Sequence, residues 1–266
     1  MPVSDALEPD RIGPSMFDLT GRRVVVTGAS KGLGRQLAVG FAAFGATVAC
    51  VARSVDGLKE TEAQIRALGG EAAVYAVDLR SPDNITQTIE TIADDLGGID
   101  VLVNNAADDH DSPIEQTSRE VWERVTDLNS RSAFLLAQAA APHLQASGGY
   151  GKLINVASIL GTVGIRDDSA YIMSKHALIG LTKSLGLEWA RKGVQVNALC
   201  PGFIVTDMTS AAFNDEAASK WIVQRTPLGR WGQTTDFVGA GVFLASRASD
   251  FMTGQTIVVD GGWTAQ

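Results

Sequence analysis

Residues 24–34 read Val24-Val25-Val26-Thr27-Gly28-Ala29-Ser30-Lys31-Gly32-Leu33-Gly34, a β-branched run that breaks into a turn holding three glycines. Helix-period sequence follows at once. Apolar residues recur at Leu33, Leu37, Phe41 and Phe44, one face of a helix, and Gly45 stands where a helix end favours glycine. Strand, tight turn and helix in this order open a βαβ unit.

The same alternation continues outward. Strands are expected at Val24–Thr27, Thr47–Ala52, Ala73–Val77, Val101–Val103, Leu153–Ala157, Val194–Leu199 and Thr256–Val259. Most are continuously apolar, as strands covered by helices on both faces require. Between them, helices are expected near 55–67, 82–96, 119–144, 170–191 and 235–244, opening on the capping residues Ser54, Ser81, Ser118, Ser169 and Thr234. The pattern predicts an α/β fold: one doubly wound parallel sheet in a single domain over residues 16–266. Residues 1–15, with Pro2, Pro9 and Pro14 among charges, read as a mobile leader. Over residues 203–232 the periodicity loosens and a lid over the site is expected.

In such a sheet ligands bind beyond the carboxyl ends of the strands. Gly28, Gly32 and Gly34 let the backbone approach a pyrophosphate, which the free N–H groups and dipole of the helix start attract. At the end of the second strand stands Arg53, where an acidic residue would hold an adenosine ribose and an arginine a 2′-phosphate. With Lys31 in the glycine turn, Arg53 favours NADP(H) over NAD(H). Asp78 ends the third strand, placed to accept from an adenine amino group. Asn104-Asn105-Ala106 ends the fourth.

Tyr171 and Lys175 are four residues apart at the start of a helix and so share a face. A phenol titrates near pH 10, and a neighbouring ammonium favours the phenolate and lowers that value. Ser158 places a hydroxyl at the same sheet edge. With these residues in view, the chain resembles a short-chain dehydrogenase/reductase. The resemblance runs from about residue 16 to 266, through Thr27-Gly28-x-x-x-Gly32-x-Gly34, Asn104-Asn105-Ala106, Asn129, Ser158, Tyr171-x-x-x-Lys175 and Pro201-Gly202 followed by Thr206. One position departs from the family pattern: Ala107 stands where glycine is usual.

The resemblance implies a Rossmann-type fold and direct hydride transfer between a nicotinamide and a ketone or secondary alcohol. It makes Tyr171 the general acid and base, Lys175 the holder of the nicotinamide ribose, and Ser158 the partner of the substrate oxygen. Asn129 would support a water linking Lys175 to solvent. Cofactor contacts are expected from Gly28, Ser30, Lys31, Gly32, Leu33, Gly34, Arg53, Asp78, Leu79, Asn105, Ala106, Tyr171, Lys175, Pro201, Gly202, Ile204 and Thr206. A homotetramer built on helices 119–144 and 170–191 is implied as well. The nearest-looking subgroups are bacterial β-ketoacyl-carrier-protein reductases and gluconate 5-dehydrogenase-type enzymes.

Composition narrows the alternatives. The chain has 266 residues, 22 Lys and Arg against 30 Asp and Glu, and a net charge of −8. That balance disfavours nucleic acid and anionic membranes, which need clustered cations. No run reaches the ~18 apolar residues of a membrane span. Cys50 and Cys200 sit in apolar runs, and residues 1–15 carry neither the basic nor the apolar segment of a secretory signal. The cytoplasm is the expected setting. His110, His143 and His176 lack partners at metal-ligand spacing, so no catalytic metal is expected. Three rivals stay open: an NAD(H)-dependent sugar-acid or hydroxy-acid dehydrogenase, a non-catalytic dinucleotide sensor, and an isomerase, epimerase or lyase using the tyrosine as base.

Overall fold

The computed structural model describes residues 13–266. The expected leader lies outside the described residues over 1–12. Pro14–Phe17 forms a 3₁₀ turn, so regular structure begins before Met16.

Seven parallel strands form one sheet among the described residues: β1 (Arg23–Thr27), β2 (Thr47–Ala52), β3 (Glu71–Ala76), β4 (Val101–Asn104), β5 (Gly151–Val156), β6 (Val194–Pro201) and β7 (Thr256–Val259). Their order is β3-β2-β1-β4-β5-β6-β7. The order reverses between β1 and β4, where Val24 pairs with Val101 on one side and Val48 on the other. That reversal opens the crevice in which this architecture takes ligands.

The helices are α1 (Gly32–Ala43), α2 (Val55–Ala67), α3 (Pro82–Leu96), α4 (Arg119–Thr126), α5 (Ser132–Gln145), α6 (Ser169–Trp189), α7 (Ser210–Asn214), α8 (Glu216–Arg225) and α9 (Val238–Ala245). Successive strand residues point to opposite faces. Val24 and Val26 pack with Leu37 and Phe41 of α1 and Val242 of α9. Val25 faces the other layer, with Ile85, Ile89 and Ile92 of α3 and Leu136 and Leu144 of α5. Full burial of each such side chain contributes roughly 2–3 kcal/mol, which is why the strands are apolar on both faces.

The helical expectations need three corrections. The single helix expected over 119–144 is interrupted: Asp127–Arg131 forms a π turn between α4 and α5. Apolar spacing cannot reveal such a turn, because only one residue is added. Ser169 is not the cap of α6. Asp168 occupies the N-cap position, and its side chain makes no capping bond. The helix expected over 235–244 starts as a 3₁₀ turn, Thr234–Phe237, capped by Gln233 and Asp236 in a reciprocal capping box.

Candidate active site

The glycine turn lies at the β1–β4 reversal. Gly28 and Gly32 have φ of +67° and +56°, a region open to glycine at little cost. A side chain at Gly28 would meet Asn105 Nδ2 at 2.8 Å, and one at Gly34 would collide with Asn105 and the Gly28 carbonyl. The reason for this tightness is a clamp across the crevice. Asn105 Nδ2 donates to the Thr27 carbonyl at 2.8 Å, while Thr27 Oγ1 accepts from the backbone N–H groups of Asn105 and Ala106. Asn105 therefore holds the shape of the turn, beyond any contact with a ligand. Closely approaching, Cβ-free backbone at a helix start fits a pyrophosphate.

Ser30 lies against Gly57 of α2, and Leu33 and Leu79 are buried, in the layers on opposite faces of the sheet. Thr206 faces Gly32, with its methyl 3.7 Å from where a side chain there would begin. Pro201 ends β6, Gly202 packs on Asp260, and Ile204 is buried. Arg53 is exposed just past β2. Lys31 is exposed and pairs with Asp207 at 3.0 Å. Asp78 stands just past β3. Its carboxylate accepts from Arg80 at 2.6 Å, and that bond holds its pKa below the ordinary range. An adenine amino group would have to share it.

The predicted reactive residues are brought together. Ser158 follows β5, and its oxygen accepts from the Leu160 N–H at 3.1 Å, which leaves the hydroxyl proton free to point elsewhere. It lies in hydrogen-bond contact with the Tyr171 phenol. Lys175 is 2% exposed, its Nζ 5.3 Å from the Tyr171 ring centre and 2.9 Å from the Val156 carbonyl it donates to. Asn129 sits in the π turn, buried. Its amide donates to the Asp108 carbonyl and to Ser174 Oγ, and accepts from the Asp108 N–H at 2.8 Å. Ser174 Oγ in turn donates to the Tyr171 carbonyl at 2.7 Å. Asn129 thus ties the loop after β4 to the turn of α6 that presents Tyr171.

Electrostatics differ from the expectation that Lys175 lowers the tyrosine pKa. Burial dominates both groups: it drives the Tyr171 phenol upward and Lys175 down to about 8. The Ser158 hydroxyl opposes the rise at Tyr171, whereas Asp109 and Asp168 add to it. Cys200 is buried and pushed up to about 11, so its thiol stays protonated at neutral pH.

Sequence reasoning missed two features. Asp109, Asp111 and Asp168 converge, with one oxygen of each within 4.8 Å of the others. The aspartates are plain in 108–111 and 167–168, but nothing in either segment says that the two loops meet. They do so through a bridge between Ser112 and Asp168. The second is Trp263, whose ring lies 5.6 Å from Phe203, in a cluster that also includes Tyr171 and Leu160. Phe203 also stacks edge-on with Trp221 and Trp231, so the region expected as a lid presents an aromatic wall.

The sequence model of a family described as Enoyl-(Acyl carrier protein) reductase matches residues 28–264, nearly the whole described chain. The chain belongs to the short-chain dehydrogenase/reductase family. As a member of that family it is an oxidoreductase. It is 39% identical over 251 residues to gluconate 5-dehydrogenase of Gluconobacter oxydans, spanning 94% of this chain and 98% of that one. With the 3-oxoacyl-[acyl-carrier-protein] reductase of Staphylococcus aureus it shares 37% over 244 residues, 91% and 97% of the two chains. The crystal structure of a gluconate 5-dehydrogenase from Burkholderia cenocepacia, in complex with NADP and tartrate, superposes with a TM-score of 0.91. That pair is 36% identical, covering 95% of this chain and 98% of the other.

Proposed function

We propose that this short-chain dehydrogenase/reductase interconverts a ketone and a secondary alcohol with NADP(H), Tyr171 moving the proton. The observation that carries the reading is the grouping of buried Ser158 and Lys175 with half-buried Tyr171 at the carboxyl edge of the sheet, next to a turn shaped by glycines at positive φ. A non-catalytic sensor has no need of that grouping. The nicotinamide, when bound, supplies or accepts the hydride.

The chain's own residues do the rest. Ser158 donates its free hydroxyl proton to the substrate oxygen, and the phenol of Tyr171 gives up its proton in reduction and takes one in oxidation. Lys175 holds the nicotinamide ribose from the β5 side, and Asn129 keeps α6 in register with the loop after β4 while supporting the water that links Lys175 to solvent. The glycine turn from Gly28 to Gly34 cradles the diphosphate, with Ser30, Thr206 and Ala106 beside it, and Arg53 meets a 2′-phosphate. The segment 203–232 closes over the substrate. A gluconate 5-dehydrogenase of similar structure is described in complex with NADP, which supports the cofactor choice. We further infer a homotetramer, supported by a surface groove between α5 and α6 lined by Phe134, Leu178 and Leu181. A cytoplasmic setting accords with two free, buried cysteines. The purified protein should oxidise NADPH with at least one member of a panel of β-ketoesters, diketones and keto-sugars. Tyr171→Phe should lower that rate by about 10²–10⁴ while keeping NADPH binding. Undiminished turnover in Tyr171→Phe would sink the mechanism.

A further inference from the structure

Next to the reacting tyrosine lies a polar side chain with an unmet need. Asp168 is 2% exposed, and its Oδ1 has no hydrogen-bond partner. A buried acceptor left alone is costly, and a buried carboxylate more so. Asp168 is three residues before Tyr171, and its charge is felt at the phenol. Asp168 thus stands within electrostatic reach of the phenol that would act on the substrate oxygen.

Its surroundings specify what is missing. Asp109 and Asp111 approach from the loop after β4, and the three carboxylates lie within 4.8 Å of one another. Burial and mutual repulsion raise the pKa of both Asp109 and Asp168. Among the described residues no lysine, arginine or histidine forms an ion pair with any of the three; Arg124 of α4 pairs with the neighbouring Asp108 at 3.3 Å. Lys175 donates to the Val156 carbonyl instead, and His110 is exposed. The His110 N–H donates to Asp109 at 2.7 Å, and Asp168, the more basic of the two acids, shares a hydrogen bond with Asp109.

We propose that Asp168, with Asp109 and Asp111, binds an ammonium group of the substrate, so that the ketone or alcohol handled here carries an amine beside the reacting carbon. The inference rests on the oxidoreductase reading and names its substrate class. An ammonium with three donors at about 2.8 Å holds its acceptors up to roughly 4.8 Å apart, which the observed spread accommodates. Burial raises Asp168 to about 9, so a proton lies between it and Asp109; an ammonium can take that proton's place, whereas a carboxylate would face Asp111 and the Asp109–Asp168 pair with no cation to offset it. The site thus selects against the sugar-acid group that gluconate would bring to it.

Three small ketones that differ in one group test this: aminoacetone, hydroxyacetone and acetoacetate, each with NADPH at pH 7. Reduction of aminoacetone consumes one NADPH and one proton and forms 1-amino-2-propanol and NADP⁺. Aminoacetone should exceed acetoacetate at least tenfold in kcat/KM, and Asp168→Asn should bring that ratio close to one. Asp109→Asn, in an accessible loop, should do the same if the first variant folds poorly. A wild-type ratio of one or less, or a ratio that survives both substitutions, overturns the inference while leaving the oxidoreductase reading intact. So does a preference that vanishes on chelation and returns with Mg²⁺, since the carboxylates would then be holding a metal. Calorimetric titration of the NADP-loaded protein with 1-amino-2-propanol and with 3-hydroxybutyrate requires no turnover. Tighter binding of the amine without reduction of any ketone would retain the ammonium site and reject the reaction; equal binding would reject the site.

Discussion

Lys175 Nζ donates to the Val156 carbonyl at 2.9 Å, so the ammonium of α6 is anchored on the last residue of β5. The same burial that fixes its position brings its pKa down to about 8. The unfolded chain, with the ordinary lysine value near 10.4, then binds more protons than the folded chain between about pH 8 and 10.4. Stability from this group is absent below pH 8 and grows as the pH rises through that window. Urea unfolding of wild type and Lys175→Met at pH 7 and pH 10 should show wild type gaining on the variant by up to ~3 kcal/mol. A constant difference would mean that Lys175 is not penalised by burial.

Ser158 should separate substrate activation from cofactor binding. Its hydroxyl oxygen accepts from the Leu160 N–H, and its proton, turned toward the Tyr171 phenol, can pass to a substrate oxygen that arrives between them. Ser158→Ala should cut kcat by about 10²–10³, with the NADPH dissociation constant unchanged in a fluorescence titration. Loss of NADPH affinity would place the serine in the cofactor site instead.

Cofactor choice can be tested at Arg53, the exposed cation past β2. Arg53→Asp should weaken NADPH by roughly 10–100-fold, the worth of one or two charged hydrogen bonds, and leave NADH nearly unaffected. Arg80 stands near by on Asp78. If Arg53→Asp acts equally on both cofactors, Arg80→Ala is the variant that should discriminate.

Gly34 offers a steric test that needs no chemistry. A methyl there collides with Asn105 and with the Gly28 carbonyl, both parts of the clamp at the sheet reversal. Gly34→Ala should abolish NADPH binding in calorimetry and lower the melting temperature by several degrees, an overpacking cost of about 1–3 kcal/mol. Gly239, with open space around it, should accept alanine without either effect.

Legibility in the sequence follows the range of each interaction. The glycine turn, the apolar strands and the i, i+4 pair of Tyr171 and Lys175 are local patterns, and each stands where its pattern put it. Partnerships between side chains are different. That Arg80 takes the carboxylate of Asp78, that Asp207 takes Lys31, and that Asp168 leaves the α6 cap open beside Asp109 are decided by loops meeting in space. Sequence spacing holds no record of those meetings. The net effect of burial on Tyr171 was also hidden, because a nearby lysine is visible in the sequence and the loss of water around both groups is not.

The π turn at Asp127–Arg131 sets stability and chemistry against each other. Its i+5 hydrogen bonds give one turn an additional residue, which a regular helix would shed. Deleting Ser130 would let α4 and α5 join as a better-bonded rod, with the flanking turns in nearly the same phase but the residues of the π turn itself drawn back into regular helix. Asn129 would swing away from Asp108 and Ser174, and the loop carrying Asp109 would lose its tie to α6. At this point the chain carries an additional residue that its active site requires, and a search for a stabler protein would remove it first.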